Sequence, residues 1–214
     1  MGARTYSFLD TVLISIDNGI RTVYGRPPVT ERQNPAANCA ETDLSTHDKR
    51  HAARLMRVNH AGEVAAQALY EGQALTARLP DVRDKMERAA LEENDHLEWC
   101  AQRTRQLGDH TSLLNPLWYA GSLAIGALAG LAGDKWSLGF VAETEHQVVR
   151  HLEQHLQELP AQDQKSRQIL EQMKLDEAHH ATTALEAGAA ELPAAVKKLM
   201  ALTSRIMTRT AYWI

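Results

Sequence analysis

The chain has 214 residues, enough for one domain with a sizeable core. Its formal net charge is −4, with both signs mixed along the chain, which argues against nucleic acid as a partner. Aromatics make up only 5 % of an Ala- and Leu-rich composition, which favours an all-α fold. The two cysteines, Cys39 and Cys100, have no metal-type spacing and read as reduced, cytosolic thiols.

Asp10 and Asp17 interrupt the first apolar run, so no secretory or transit leader is expected. Tyr6 to Tyr24 is amphipathic, with Leu9, Val12, Leu13, Ile16, Ile20 and Val23 at helical period. It is expected to dock on the rest of the fold, with an interfacial membrane helix as the alternative. Gly25 to Thr42 holds Pro27, Pro28 and Pro35 and reads as a connector, so residues 1–44 form a helix and linker ahead of a domain spanning 45–214. Ser45-Thr46-His47-Asp48 is a capping signal for a first long helix that runs to about Leu79. Pro80 ends that helix and opens a second, which continues to about Leu107 before Gly108.

From Thr111 to Gly133 there is no charge. Length alone permits a transmembrane span. A single span would nevertheless put the two halves of the chain on opposite sides of a bilayer, so we expect a crossover helix lying partly in the membrane surface. Trp118, Tyr119 and Trp136 flank it as aromatics do at an interface, and Gly126-x-x-x-Gly130 would allow close helix contact. A Gly/Ala helix buried in soluble protein stays open as the plainer reading. Asp134 or Ser137 is expected to cap the third long helix, which runs to about Leu159; Pro160 opens the fourth, which runs to about Ala190. Pro193 begins a last helix to the C-terminus.

The chemistry lies on the four long helices. Glu93 and His96 form a Glu-x-x-His step whose members share one helix face, and Glu177 and His180 repeat it. Each step has a glutamate one helix upstream, Glu63 and Glu145, 30 residues earlier in the first half and 32 in the second. Apolar neighbours at helical spacing put all four glutamates on inward stripes: Met56, Ala66 and Tyr70 around Glu63, and Val141, Ala142, Val149 and Leu152 around Glu145. A glutamate from each of two helices and a Glu-x-x-His from each of the others is the ligand pattern of ferritin-like di-metal four-helix bundles. Four carboxylates balance two divalent cations. Oxygen-rich sites with two imidazoles and no thiolate suit iron or manganese, whereas structural zinc usually recruits cysteine. Glu92, Glu143 and His179 fall off the apolar phase and are set aside as ligands. His151 reads either as a hydrogen-bond partner at the cluster edge or as a partly exposed helix histidine. Tyr70 reads as core packing more readily than as a redox tyrosine.

Arg57-Val58-Asn59-His60-Ala61-Gly62-Glu63-Val64, Glu93-Asn94-Asp95-His96-Leu97 and Asp176-Glu177-Ala178-His179-His180 resemble the blocks of the demethoxyubiquinol hydroxylase family, and Glu145 with His151 fits its third helix. The resemblance runs from about Ser45 to the C-terminus. It implies a membrane-associated di-iron monooxygenase with two iron ions, held by Glu63, Glu93, His96, Glu145, Glu177 and His180, with Glu93 and Glu177 bridging. Such an enzyme hydroxylates the ring of 3-demethoxyubiquinol, a polyprenyl quinol, with O2 and reducing equivalents. It would sit peripherally on the cytoplasmic face of the cell membrane, alone, as a homo-oligomer or in a ubiquinone-biosynthesis complex. No Gly-x-Gly-x-x-Gly follows a strand, so no Rossmann site is expected. Two rival classes stay open: a ferritin- or rubrerythrin-like iron or peroxide protein, and a non-enzymatic quinone-binding factor.

Overall fold

A computed structural model describes residues 7–30 and 32–214, without the side chains of residues 8, 11, 12 and 80–87. Tyr6, where the amphipathic run read above begins, lies outside the described residues. The regular elements of the described residues are all helices: α1 (Phe8–Tyr24), α2 (Thr46–Thr76), α3 (Pro80–Gln106), α4 (Asn115–Leu131), α5 (Asp134–Glu158), α6 (Gln164–Glu186) and α7 (Ala194–Ala211). The four long helices α2, α3, α5 and α6 form the bundle. α2 packs on α3 and α5 on α6, and the two pairs meet through α3 against α6 and α2 against α5.

The helix ends follow local chemistry. Ser45 caps α2 by accepting from the Asp48 amide at 3.1 Å. Pro80 opens α3 in the first turn, where its missing N–H costs nothing. Two expectations are corrected. α5 is capped by neither Asp134 nor Ser137; it starts from Gly133, whose φ of 112° suits a residue without Cβ. The Asp134 carboxylate instead accepts from the Arg78 and Leu79 amides at 3.0 and 2.9 Å, tying the α2–α3 turn to the start of α5. α6 does not begin at Pro160. Asp163 caps it through the Ser166 amide, and it ends at Glu186 before Gly188 at φ 93°.

Two apolar clusters fill the bundle. Leu55, Met56, Trp99, Cys100, Leu152, Ile169, Leu170 and Met173 pack in one, and Ala66, Tyr70, Ala89, Leu138, Val141, Ala142 and Ala184 in the other. On every bundle helix the proposed ligand lies between the residues that enter the two clusters. The site is therefore a polar layer with greasy layers on both sides, and burial of each large side chain there contributes roughly 1.5–3 kcal/mol to holding it in place.

α4 lies along α2 at backbone distance. A Cβ at Gly72 would strike the Leu123 carbonyl oxygen, and one at Gly126 the Leu69 carbonyl oxygen. The close contact expected of the Gly126–Gly130 pair is thus present. Leu117, Leu128 and Leu131 on the other face of α4 are exposed. No described helix is long and apolar enough to cross a membrane. α1 docks on the bundle as expected, through its C-terminal half: it packs on α2 and α4, Gly19 approaches Tyr119 and Val23 packs against Val64, Ala68 and Leu97, while Leu9, Leu13, Ile16 and Ile20 stay exposed.

Candidate metal centre

None of Glu63, Glu93, His96, Glu145, Glu177 and His180 is more than 7 % exposed. Glu63, Glu93, His96 and Glu177 bring ligand atoms within 4.8 Å of one another, a grouping able to hold a metal ion. His96 Nδ1 lies 3.0 Å from Glu177 Oε1, 3.4 Å from Glu93 Oε2 and 3.5 Å from Glu63 Oε2. His180 Nδ1 lies 3.0 Å from Glu177 Oε2 and 3.4 Å from Glu93 Oε1. Glu93 and Glu177 each face both imidazoles, so they occupy the middle of the cluster. Glu145 enters from α5 with Oε1 accepting from the Tyr70 hydroxyl.

The outer nitrogens of the two rings make crossed contacts. His96 Nε2 lies 2.9 Å from Asp176 Oδ2, and His180 Nε2 lies 2.7 Å from Glu92 Oε2. Each Glu-x-x-His histidine is thus held by the acidic residue that precedes the glutamate of the other pair. A carboxylate at Nε2 accepts a hydrogen bond from Nε2–H, which fixes the proton there and leaves the Nδ1 lone pair for the centre. Arg32, in the connector, donates to Asp95 at 2.6 Å and to Asp176 at 2.8 Å. The Thr30 amide and hydroxyl also bond Asp95, at 2.7 and 2.6 Å. The segment around Thr30 and Arg32 is therefore strapped across the outer wall of the site.

Charge inside the layer is arranged as a cation site demands. Burial, then the nearby Glu93 charge, pushes the Glu63 carboxyl well up; burial, then Glu177 and Glu93, does the same to Glu145. Burial opposes ionisation of Glu93 as well, but the nearby Glu63 carboxyl and the His180 and His96 imidazoles outweigh it and hold this carboxylate well below its usual range. Burial works against protonation of His180, yet contacts with Glu177 and Glu93 raise it to about 12. Without metal, protons fill the positions where divalent cations would compensate the carboxylates. Both Glu93 oxygens, Glu145 Oε2, Glu177 Oε1 and His96 Nδ1 are buried without a hydrogen-bond partner. Unpaired buried acceptors are costly, and their convergence fits a resident metal bound by oxygen and imidazole.

His151 is placed otherwise. Its ring centroid lies 3.9 Å from that of His155, its Nε2 is buried without a partner, and it makes no hydrogen bond to the six residues among the described contacts. His155 continues to Asn59 at 2.9 Å. Glu92 and Asp176 were missed as functional residues. Both are off the apolar phase, as non-ligands should be; their one signal was the acid–glutamate doublet that opens each Glu-x-x-His step. Tyr70, read as packing, has its hydroxyl on Glu145.

A family model described as ubiquinone biosynthesis protein COQ7 matches residues 50–211. The chain belongs to the COQ7 family. Similar proteins named 3-demethoxyubiquinol 3-hydroxylase include one from Nitrosococcus oceani, 64 % identical over all of both chains. Another, from Acinetobacter baumannii, is 57 % identical over 99 % of this chain and the whole of its own. One from Legionella pneumophila has the same identity and coverage. The likeness spans the connector as well as the bundle, so the strap at Arg32 lies within the shared length. Relatives named as a hydroxylase over the full chain disfavour the iron-storage and non-enzymatic alternatives.

Proposed function

We propose that this chain is a 3-demethoxyubiquinol 3-hydroxylase with two iron ions bound by Glu63, Glu93, His96, Glu145, Glu177 and His180. The observation that carries the reading is the buried layer in which two Glu-x-x-His pairs face each other with unpaired acceptors. When bound, a ferrous pair supplies two electrons to O2 beside the substrate. The net reaction would consume O2, two reducing equivalents and two protons, place one oxygen atom on the quinol ring as a hydroxyl and release the other as water.

The protein's own residues set the conditions for this. Glu93 and Glu177, each facing both imidazoles, would hold the ions at the middle of the cluster. Asp176 and Glu92 hold the Nε2 protons and aim Nδ1 inward. Tyr70 donates to Glu145 and fixes which of its oxygens is free. The apolar layers on either side exclude water, which strengthens every charge interaction in the layer.

A polyprenyl quinol resides in lipid. The exposed leucines and isoleucines of α1 and α4, helices that touch at Gly19 and Tyr119, form the surface we assign to the membrane. Such a seat is peripheral, with the apolar stripe of α1 lying in the interface plane. The test is anaerobic loading with ferrous iron and demethoxyubiquinol, followed by O2 and product analysis. Ring-hydroxylated quinol is expected; its absence from iron-loaded protein would overturn the assignment.

A further inference from the structure

A cavity of about 470 Å³ lies away from the metal layer. Arg50, on its wall, precedes Glu63 by 13 residues on the same helix, roughly 20 Å along the axis. The first four turns of α2 supply Lys49, Arg50, Arg54 and Arg57; Asp109 and His110, after α3, and Trp213 also line it.

The charge there is unbalanced. Arg57 is accounted for: Nη2 donates to Asp109 at 2.5 Å and Nε to the His110 carbonyl at 2.9 Å. Asp109 is the one carboxylate on the lining, and Arg57 neutralises it. Lys49, Arg50 and Arg54 have no carboxylate partner among the described residues, in a chain whose net charge is −4. Lys49 and Arg50 also stand in the first turns of α2. There the helix dipole is positive and favours acids, so cations cost stability. An anion in the cavity reverses both penalties.

One wall is built in advance, while Lys49 and Arg50 are exposed at the mouth. The Arg54 guanidinium lies over Trp213 at 4.3 Å and Tyr212 at 5.3 Å. Tyr212 is itself fixed, with its hydroxyl 2.8 Å from His51 Nδ1, and Ala211 beside it is fully buried. A stacked guanidinium loses little freedom when it binds an anion. Trp213 remains 67 % exposed and offers an apolar flank.

We infer that this cavity binds a phosphate group through Lys49, Arg50 and Arg54, with the remainder of the ligand against Trp213. Multiple donors from arginine and lysine suit a phosphate dianion or diester. The phosphate arrives either on an anionic lipid or on a soluble ester. Leu113 and Leu117, exposed just beyond His110, put the cavity at the edge of the α4 apolar surface. The site is independent of the hydroxylase assignment, since no proposed iron ligand lines it.

The experiment uses the full metal-loaded chain, the R50Q/R54Q double variant, R50Q alone as the milder change, and K135Q/K198Q as a control with the same charge loss elsewhere. Flotation with phosphatidylcholine vesicles, with and without phosphatidylglycerol, reads the lipid arm; calorimetry with inorganic phosphate and ADP reads the soluble arm. R50Q/R54Q is expected to lose binding about tenfold or more in one arm, R50Q to lose part of it, and K135Q/K198Q to match wild type. The arm affected identifies the source. Equal losses in R50Q/R54Q and K135Q/K198Q, or no loss in either arm, would overturn the site.

Discussion

His96 turns its Nε2 atom to Asp176, 2.9 Å away on the other half of the bundle, while its Nδ1 faces Glu177. One imidazole therefore joins α3 to α6 twice, once at the centre and once at the outer wall. The reciprocal contact of His180 with Glu92 makes the arrangement two-fold in character. The proposed ligands of one half are oriented by the other half, so the cluster closes only when both halves are in register.

From this crossing we expect Asp176→Asn and Glu92→Gln each to weaken iron binding about 10–100-fold without unfolding the chain. The amide can still touch Nε2 but no longer enforces the inward lone pair as an anion does. Competition against a calibrated chelator, beside circular dichroism, measures both quantities. Unchanged affinity would remove the orienting role.

Arg32 carries the strap. Replacing it by Met leaves Asp95, buried at 1 % exposure, with the Thr30 bonds alone. A buried carboxylate that loses its cation is costly, although Arg32 is itself partly exposed and Thr30 keeps some compensation. Destabilisation of about 1–3 kcal/mol is expected, read as a lower urea midpoint at unchanged slope. A stability equal to wild type would show the connector to be passive.

Gly126 tests the seat of α4. Valine there would drive its side chain into the Leu69 backbone, which cannot rotate aside as a side chain would. A loss of at least about 2 kcal/mol is expected, against near-neutral change for Gly121→Ala, where an added Cβ meets nothing within 4 Å. Thermal melts of the two variants distinguish the positions.

Acid should weaken the fold through histidines outside the centre. Burial lowers His60 and His151 to about 4, and lowers His155 well below its ordinary value. Below the unfolded value of 6.5 the unfolded chain binds protons that these folded histidines refuse. Their contribution is complete above 6.5 and is lost as the pH falls toward 4, by up to about 1.4 kcal/mol per pH unit for each histidine. Urea midpoints measured between pH 7 and 4 should fall steeply. His155→Gln should fall less steeply than wild type, and an unchanged slope would contradict the assignment.

The bundle and the inward stripes were legible because a 3.6-residue period reports which face of a helix is buried. That period placed Glu63, Glu93, Glu145 and Glu177 on apolar faces and left Glu92 off them. It could not report what lies across the bundle. Glu92 and Asp176 look solvated on their own helices and acquire a function only from the opposing histidine. Arg32 sits in a Pro-rich stretch whose composition marks a connector, while its contacts to Asp95 and Asp176 bridge separations of 63 and 144 residues. The start of α6 was misread for a related reason: Pro160 is compatible with a helix start, but the Asp163 side chain, bonded to the Ser166 amide, sets it three residues later.

The central claim is a pair of iron ions in the layer between Glu93 and Glu177. Mössbauer spectroscopy of the chain loaded anaerobically with ⁵⁷Fe(II), with iron and protein quantified in the same sample, addresses it most directly. Two ferrous ions per chain are predicted, both lost in Glu93→Ala and in Glu177→Ala. A single iron, or a pair that survives both substitutions, would contradict the account.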